Sequence, residues 1–472
     1  MAAPATHKFY RSAAWIALAC LVVPMFASYY FDDMFSSISY LFEAPSFTQL
    51  GWDSAGYGLY ASGYSVLCVF GGLILGGILL DKWGVRISGS VFVGMMVAGA
   101  GLVTWALLRG GQSSLSIAYV GVMFFGLGSE IAGTAVTRSI AKWFKGGPMA
   151  LAMGLQLAIA RLGTAFALVL SPLLVMNVDY DHVYTLAETA RPAIVGMGLM
   201  AFGLILWAFF VALDAKADRR TAEEKSISAV PEEETLSSAN NKADATERVS
   251  PSEQDKDDEA FRFKDVLGVL GNRNFWLLGL LCVLFYSSII AFKKFAGAIL
   301  VPRFDIMPGT AGWMVSMLPF STVIFAPLFG ILVDKAGKGT RWMVIGAVLA
   351  LVAHLLLAFA PAGVPFWGYL AMVFLGFGYS LVPAALWPSV PKIVPDKVLG
   401  TTFALIYWVQ NLGLMSFKWI AGVIIGKGNN GPVSVELMFV GLCVAALVVA
   451  LIFRRTSARH PELALDQPNK IA

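Results

Sequence analysis

Twelve long apolar runs occupy most of this chain, and each is long enough to cross a lipid bilayer as a helix. The hydrocarbon core of a bilayer is ~30 Å thick, so a crossing helix needs ~20 mostly apolar residues. A polar segment separates two groups of six runs: 13–35, 57–80, 87–108, 115–141, 148–176 and 192–213, then 273–300, 311–333, 341–361, 366–390, 399–425 and 433–453. Because a helix satisfies its own backbone hydrogen bonds inside a bilayer, the pattern predicts an all-α membrane protein with 12 transmembrane helices.

The composition excludes most soluble classes of protein. Apolar residues make up 58% of the 472 residues and charged residues only 14%, which is too little charge to cover a soluble protein of this length. There is no phosphate-binding Gly-rich loop, no metal-ligand spacing of His and Cys, and no nucleophile elbow. We therefore predict that the chain is not an enzyme and uses neither cofactor nor metal. It has no basic surface domain, so nucleic acid is not a predicted partner either.

Basic residues of the short loops and chain ends define the orientation. One side of the membrane receives Lys8, Arg11, Lys82, Arg86, Lys142, Lys145, Lys335, Lys338, Arg341, Lys392, Lys397, Arg454 and Arg455. The other side receives only Arg109, Arg191, Arg303 and Lys427. Because positively charged loops face the cytoplasm, both termini and the polar middle segment are predicted to be cytoplasmic.

Four regions follow from these patterns. Residues 1–213 form a first six-helix bundle, and residues 273–455 form a second. The segment 214–272 between them is rich in Glu, Asp, Lys and Ser and poor in large apolar side chains, so we predict a charged, flexible cytoplasmic linker. Residues 456–472 are predicted to be a cytoplasmic tail.

The two bundles repeat each other. GGILLDKWGVR at 76–86 returns as FGILVDKAGKGTR at 329–341, and GLGSE at 126–130 returns as GFGYS at 376–380. The offset that takes GLGSE to GFGYS also takes Lys142 to Lys392. Two six-helix halves in one topology are parallel repeats about an axis along the membrane normal, an architecture that holds substrate near the bilayer midplane between the halves.

The duplicated loop resembles the signature of the major facilitator superfamily. In that superfamily the loop between the second and third helices is taken to latch the halves in the outward-open state. The resemblance assigns this role to Gly77, Asp81, Lys82, Gly84 and Arg86, with a degenerate copy that includes Asp334 and Lys335. The carboxylate of Asp81 lies just before a helix start, where it can meet unpaired N–H groups.

A closer resemblance covers most of the chain outside the linker. KWFKG at 142–146, GLQLAIARLG at 154–163, ALWP at 385–388 and VQNLG at 409–413 resemble the animal lysosomal dipeptide transporters of this superfamily and their bacterial relatives. The resemblance implies alternating access and dipeptide uniport. The sequence has no Asn-x-Ser/Thr sequon, so we predict a bacterial inner membrane. The lysosomal membrane, with an accessory membrane subunit, is the alternative.

Two opposite charges lie at one depth inside the first bundle. Glu130 precedes Lys142 by 12 residues, and Arg161 follows Pro148 by 13, which places both ~18–20 Å from the cytoplasmic edge at ~1.5 Å per residue. Charged groups inside a membrane are candidate functional residues. The two charges either form a permanent ion pair that locks the helices together, or separate to bind a zwitterion. The resemblance implies that they bind the termini of a small peptide.

Further candidates surround this pair. Asp32 matches an acidic position of the subfamily and is predicted to be an entrance group, whereas Asp33 is interpreted as either exposed or functional. Lys293, Lys294 and Lys418 depart from the apolar residues of the subfamily. They either extend to the outer boundary, as long side chains do, or bind a carboxylate and disfavour cationic substrates. The remaining candidates for the cavity lining are Tyr286, Tyr379, Trp387, Tyr407, Gln410 and Asn411.

Other transport modes and a receptor stay open as alternatives. The Gly-Pro-x-x-Gly-Gly run of drug antiporters and the Glu-x-x-Glu-Arg run of proton-coupled peptide transporters are both missing. A symporter of another small organic solute, such as an organic anion, an amino acid or a muropeptide-like compound, could use Asp32 or Glu130 as proton carrier. A membrane receptor of the same fold would bind without transport.

Overall fold

The computed structural model describes residues 4–42, 47–111, 113–145, 148–175, 182–228, 268–395, 398–427 and 431–468. The first half contains α1 (Pro4–Asp33), α2 (Ser54–Leu67), α3 (Leu73–Arg109), α4 (Ser114–Trp143), α5 (Met149–Val175) and α6 (Leu186–Ser228). The second half contains α7 (Arg273–Lys294), α8 (Ala296–Phe304), α9 (Pro308–Ala336), α10 (Gly339–Phe359), α11 (Pro365–Leu386), α12 (Leu399–Ile425) and α13 (Gly431–Arg459). Below, the side with the basic loops is the basic side, and the other is the opposite side.

The described helices make twelve crossings, although eleven apolar stretches qualify by length and hydropathy. One stretch, Ser54–Arg109, is 56 residues long, which at ~1.5 Å per residue far exceeds one bilayer. Its direction reverses at Gly84, which has a φ of 72° and a ψ of 173°. The Ser88 hydroxyl donates to the Leu79 carbonyl at 2.6 Å. In a continuous helix, two residues this far apart in sequence would be too distant for a hydrogen bond. This stretch therefore crosses twice, and the predicted all-α fold with twelve transmembrane helices is confirmed.

The two halves meet along two helix pairs, α2 with α12 and α5 with α9. These pairs are related by the sequence repeat, since each joins the second crossing of one half to the fifth crossing of the other. On the opposite side the contact is backbone to backbone: a Cβ on Gly58 would lie 2.9 Å from Gly422 Cα, and one on Gly312 would collide with the Leu168 carbonyl. Small residues allow this approach between membrane helices.

Toward the basic side the same four helices are no longer in such contact. Gly154, Gly330 and Gly400, toward the basic ends of α5, α9 and α12, have no heavy atom within 4 Å of the place a Cβ would take; the same is true of Gly77, in the part of α3 that continues the α2 crossing toward the basic side. The halves are thus closed on the opposite side and part toward the basic side.

Two predicted boundaries differ in the structure. Helix α6 continues through residues 214–228, so the prediction of a flexible linker is wrong for that part; Asp214 and Asp218 bind Arg86 and Lys142 and hold the helix against the first half. Residues 229–267 lie outside the described part. The predicted tail also has structure, because Asp466 caps α10 by accepting hydrogen bonds from the backbone and hydroxyl of Thr340.

Candidate functional site

Glu130 and Arg161 lie in the middle of the first half, and each is held by a tyrosine. The Tyr64 hydroxyl donates to Glu130 Oε1 at 3.1 Å. Arg161 Nη1 donates to the Tyr379 hydroxyl at 2.9 Å, and its guanidinium carbon lies 5.7 Å from the ring centroid of Tyr29. No ion pair between Glu130 and Arg161 occurs among the described side chains, so the structure keeps the two charges apart.

Glycines of the two motifs explain why these side chains occupy their positions. A Cβ on Gly126 would collide with the Tyr64 backbone, so α4 lies directly against α2 one turn before Glu130. A Cβ on Gly163 would collide with the Phe26 carbonyl, so α5 lies directly against α1 two residues after Arg161. Larger residues at either glycine would therefore displace the helix that carries the charge.

Aromatic side chains of the second half face Arg161. Trp387 Nε1 donates to the Tyr286 hydroxyl at 3.1 Å, and the Tyr286 and Tyr379 rings lie 6.1 Å apart. The Trp387 and Tyr407 rings stack at 5.0 Å. The structure thus brings the predicted residues Tyr286 and Trp387 into one cluster with the partner of Arg161, across the boundary between the halves.

The two predicted amides of α12 behave differently. Asn411 Nδ2 donates to the Tyr407 carbonyl of its own helix at 3.1 Å, so its amide is already engaged. Gln410 is largely buried, and its Oε1 atom has no hydrogen-bond partner in the described part of the chain. The buried Gln410 Oε1 is therefore an unused acceptor within the described part of the chain.

A buried ion-pair network joins the halves on the opposite side. Asp33 is 1% exposed and binds Lys293 Nζ at 2.6 Å and Lys294 Nζ at 2.9 Å. It also accepts a 2.8 Å hydrogen bond from the Thr164 hydroxyl. Lys294 binds Asp32 as well, at 2.8 Å. The interpretation of Asp33 as an exposed helix-end residue and that of the lysine pair as boundary-seeking side chains are both wrong, because closure of the halves buries these charges and pairs them.

Lys418 of α12 is buried to the same degree but has a different partner. It is 2% exposed, and its Nζ atom lies 5.2 Å from the ring centroid of Tyr64. Among the described residues, no carboxylate lies within 4.0 Å of this ammonium. The sequence interpretation of Lys418 as a boundary residue is therefore also wrong.

A further hydrogen bond joins the halves at the segment between α2 and α3. Trp408 Nε1 of α12 donates to the Val69 carbonyl at 2.7 Å. That carbonyl is available because the helix between α2 and α3 forms a π-type segment, Cys68–Gly72, in which Gly71 has a φ of 94°. Such segments leave backbone groups free for other partners.

On the basic side, the predicted latch residues form contacts within the first half. Asp81 binds Arg138 at 2.5 Å, and Arg86 Nε binds Asp214 at 2.8 Å. Lys82 is exposed, and Gly84 makes the turn described above. In the second half Lys335 is exposed and Asp334 half-buried. The described residues contain no group of three His, Cys, Asp or Glu side chains placed to hold a metal.

Comparisons with known proteins agree with this architecture. Residues 18–301 and 295–470 match the family model of the Major Facilitator Superfamily. The lysosomal dipeptide transporter MFSD1 of Danio rerio is 30% identical over 414 residues, which cover 84% of this chain and 77% of that protein. The human MFSD1 is 28% identical over 400 residues, which cover 84% and 76%.

Solved structures show the same fold at low identity. A variant of the peptide transporter POT superimposes with a TM-score of 0.64 at 16% identity, covering 99% of this chain and 100% of that one. The xylose transporter XylE from E. coli, in an inward open conformation, superimposes with a TM-score of 0.64 at 13% identity, covering 94% of this chain and 95% of that one. The chain therefore belongs to the Major Facilitator Superfamily and is a secondary membrane transporter.

Proposed function

We propose that this transporter moves dipeptides across the membrane by alternating access, as a uniporter. The observation that carries the proposal is the separation of Glu130 and Arg161, which bind neutral tyrosines rather than each other. The similarity to MFSD1, a dipeptide transporter by its name, over 84% of the chain supports the same substrate class.

The dimensions of a dipeptide support this assignment. Its backbone is at most ~7 Å long, and neighbouring packed helices lie ~8–10 Å apart. A carboxylate on α4 and a guanidinium on α5 can therefore bind the amine and the carboxylate of one dipeptide together. The amine and carboxylate of a peptide carry full charges opposite to those of Glu130 and Arg161, whereas the hydroxyls of Tyr64 and Tyr379 are neutral, so both peptide termini are better partners than these hydroxyls.

The state of the structure supports alternating access. The halves are closed by the ion pairs of Asp33 on the opposite side and part toward the basic side. We propose that the basic side is cytoplasmic, so that this state is inward open. In the outward-open state the Asp33 pairs would break, and the loop with Asp81 would contact the second half as a latch. The proposed location is a bacterial inner membrane, with the lysosomal membrane and an accessory subunit as the alternative.

Uptake into liposomes tests the proposal. Purified protein is reconstituted, and a mixed dipeptide library is offered without any ion gradient. We expect accumulation only to the outside concentration, because a uniporter follows the gradient of its substrate. Absence of dipeptide uptake from a correctly folded sample would contradict the proposal and favour a receptor or another solute.

Proton-coupled symport is a second candidate, and the surroundings of Glu130 favour it. This half-buried carboxyl contacts a tyrosine hydroxyl and, in the described part of the chain, no cation within 4.0 Å. Such a group is a place for a transported proton. A pH-sensitive dye inside the liposomes distinguishes the modes: dipeptide uptake with stoichiometric acidification indicates symport, and uptake without it indicates uniport.

A further inference from the structure

We propose that Lys418 binds a carboxylate on the side chain of the first residue of the substrate, so that the transporter favours dipeptides that begin with Asp or Glu. This inference rests on the proposed dipeptide function and specifies the side-chain chemistry of the same site.

The contrast among three buried lysines is the first step. Lys293 and Lys294 each bind carboxylates within 3 Å. Lys418 is as deeply buried, but its described contact is the aromatic face of Tyr64. A buried ammonium is expensive unless an anion or water compensates its charge, and a cation–aromatic contact compensates only part of it. The ammonium therefore has capacity for an anion that enters the cavity.

The position of Tyr64 links this lysine to the peptide site. The Tyr64 hydroxyl donates to Glu130, while its ring lies beside the Lys418 ammonium. One tyrosine side chain thus separates the group proposed to bind the substrate amine from Lys418. Glu130 belongs to the first half and Lys418 to the second, so a ligand between them contacts both halves.

The geometry of a dipeptide selects its first side chain. The α-amine and the first side chain leave the same Cα atom, whereas the second Cα lies ~3.8 Å further along the backbone, in the direction of Arg161. With the amine at Glu130, the first side chain is the one beside Tyr64. An Asp or Glu side chain at this position brings its carboxylate toward Lys418. The flexible four-carbon stem of Lys418 can then bring the ammonium into contact with it.

The same charge disfavours other substrates. A Lys or Arg side chain at the first position would bring a second cation to a buried ammonium, and like charges in a poorly solvated site repel strongly. The order of preference is therefore acidic, then neutral, then basic at the first position, with little dependence on charge at the second.

Competition among four dipeptides tests this order. Glu-Ala, Ala-Glu, Ala-Ala and Lys-Ala are compared in proteoliposomes by their KM values, with wild type, Lys418→Met, Lys418→Arg and a control, Lys427→Met. Lys427 is exposed in the loop after the same helix, so its loss removes one positive charge outside the cavity. We expect wild type and the control to bind Glu-Ala about tenfold or more tightly than Ala-Ala, the size of one charge-assisted contact.

The variants change the ratio of KM values rather than only the rate. In Lys418→Met the KM for Ala-Ala divided by the KM for Glu-Ala falls to about one, and the KM for Lys-Ala decreases relative to that for Ala-Ala. Lys418→Arg keeps the preference for Glu-Ala because it keeps the cation. Melting curves of the purified variants establish that each is folded.

Three results would overturn the inference. The first is an unchanged Glu-Ala preference in Lys418→Met, and the second is an equal preference of the wild type for Ala-Glu, a result that needs no variant. The third is the absence of any Glu-Ala preference in wild type while Ala-Ala is transported; the dipeptide function would then stand without the Lys418 site. If wild type transports none of the four peptides, the dipeptide function itself fails and the inference with it.

Discussion

Asp33 at the end of α1 and Lys294 at the end of α7 form a buried ion pair that joins the two halves, with 2.9 Å between Oδ1 and Nζ. The two helices are the first crossings of their halves, so the repeat places their ends at equivalent positions on the opposite side. The Lys294 carbonyl also accepts a 3.1 Å hydrogen bond from the Tyr57 hydroxyl. One carboxylate between two lysines, with Asp32 as a second partner of Lys294, thus joins the halves on this side.

Removal of that carboxylate should weaken the closed state. In Asp33→Asn, Lys293 loses its buried counter-ion and Lys294 keeps only Asp32, and breaking such a buried pair typically costs ~3–5 kcal/mol. We expect the population to shift toward opening on the opposite side. A Ser37→Cys reporter, buried in the present state and placed in a background without native cysteines, should then react faster with a membrane-impermeant maleimide.

Asp53→Asn is the matched control for this experiment. Asp53 is an exposed residue on the same side and caps α2 through the Gly56 amide, and Asn caps a helix about as well as Asp. Its labelling rate should equal that of the parent. Equal rates for Asp33→Asn and the parent would show that the ion pairs do not hold this side closed.

The extension of α6 gives a second prediction. Asp214 accepts hydrogen bonds from Arg86 Nε at 2.8 Å, Lys142 Nζ at 2.8 Å and Trp143 Nε1 at 2.9 Å. Its side chain is almost fully buried. We expect Asp214→Asn to lower the melting temperature, since a buried charge partner is worth roughly 1.5–3 kcal/mol. Asp218→Asn, whose side chain is 43% exposed, should lower it less; a reversed order would refute the burial argument.

These two regions show what could be predicted from the sequence. The twelve crossings and the two halves were predictable because apolar length and the motif around Gly84 are local signals. The sequence left Asp33 open between an exposed and a functional residue, because its neighbour Asp32 offers the same chemistry, and only the closed arrangement of the halves buries Asp33 more than Asp32. Its lysine partners are about 260 positions away, and no local pattern links them.

The site residues follow the same division. Glu130 and Arg161 were predictable as charges inside apolar helices. Tyr379 was a candidate for the cavity lining, but Tyr64 and Tyr29 were missed, because a tyrosine in a membrane helix is more often a packing residue than a ligand. Gly126 could have indicated the contact with Tyr64, because a small residue one turn before Glu130 allows a neighbouring helix to come close.

A third prediction concerns the loop with Asp81. In the present state Asp81 pairs with Arg138, and the two side chains are 70% and 40% exposed, so the pair contributes only ~0–1 kcal/mol here. Asp81→Asn should leave the melting temperature almost unchanged. If the loop latches the other state, the variant should also lower the labelling of Ser37→Cys from the opposite side during transport.

Asp305→Asn serves as the control for Asp81. Asp305 is an exposed carboxylate on the opposite side with a φ of 49°, a conformation that Asn adopts readily. Labelling and transport that match the parent in both variants would mean that the loop is only a turn.

The C-terminal segment provides a fourth prediction. Asp466 accepts hydrogen bonds from the Thr340 amide at 2.9 Å and from the Ser457 hydroxyl at 3.0 Å, which ties the segment to the start of α10. Asp466→Ala removes a helix cap, and such losses cost ~0.5–2 kcal/mol. We expect a lower melting temperature, whereas truncation after residue 468 should leave it unchanged. Equal stability of Asp466→Ala and the parent would show that the docked segment contributes nothing.

The last prediction concerns the two central charges. Glu130→Gln and Arg161→Ala should each lower dipeptide uptake tenfold or more, because each removes one charge-assisted contact worth roughly 1.5–3 kcal/mol. Glu188→Gln is the control: this carboxylate lies at the start of α6 and accepts from the Thr185 amide and hydroxyl, an arrangement that Gln also supports. Its uptake should match that of the parent.

Capped peptides assign each charge to one end of the substrate. N-acetylation of Ala-Ala removes the amine, so it should reduce uptake by the parent strongly and by Glu130→Gln hardly further. Amidation of the carboxylate should show the same relationship with Arg161→Ala. If the substitution and the cap each reduce uptake by the same factor whether or not the other is present, Glu130 and Arg161 do not bind these groups. If Arg161→Ala fails to fold, as shown by melting curves and size-exclusion profiles, Arg161→Gln removes the charge with less loss of side-chain volume and provides the same comparison.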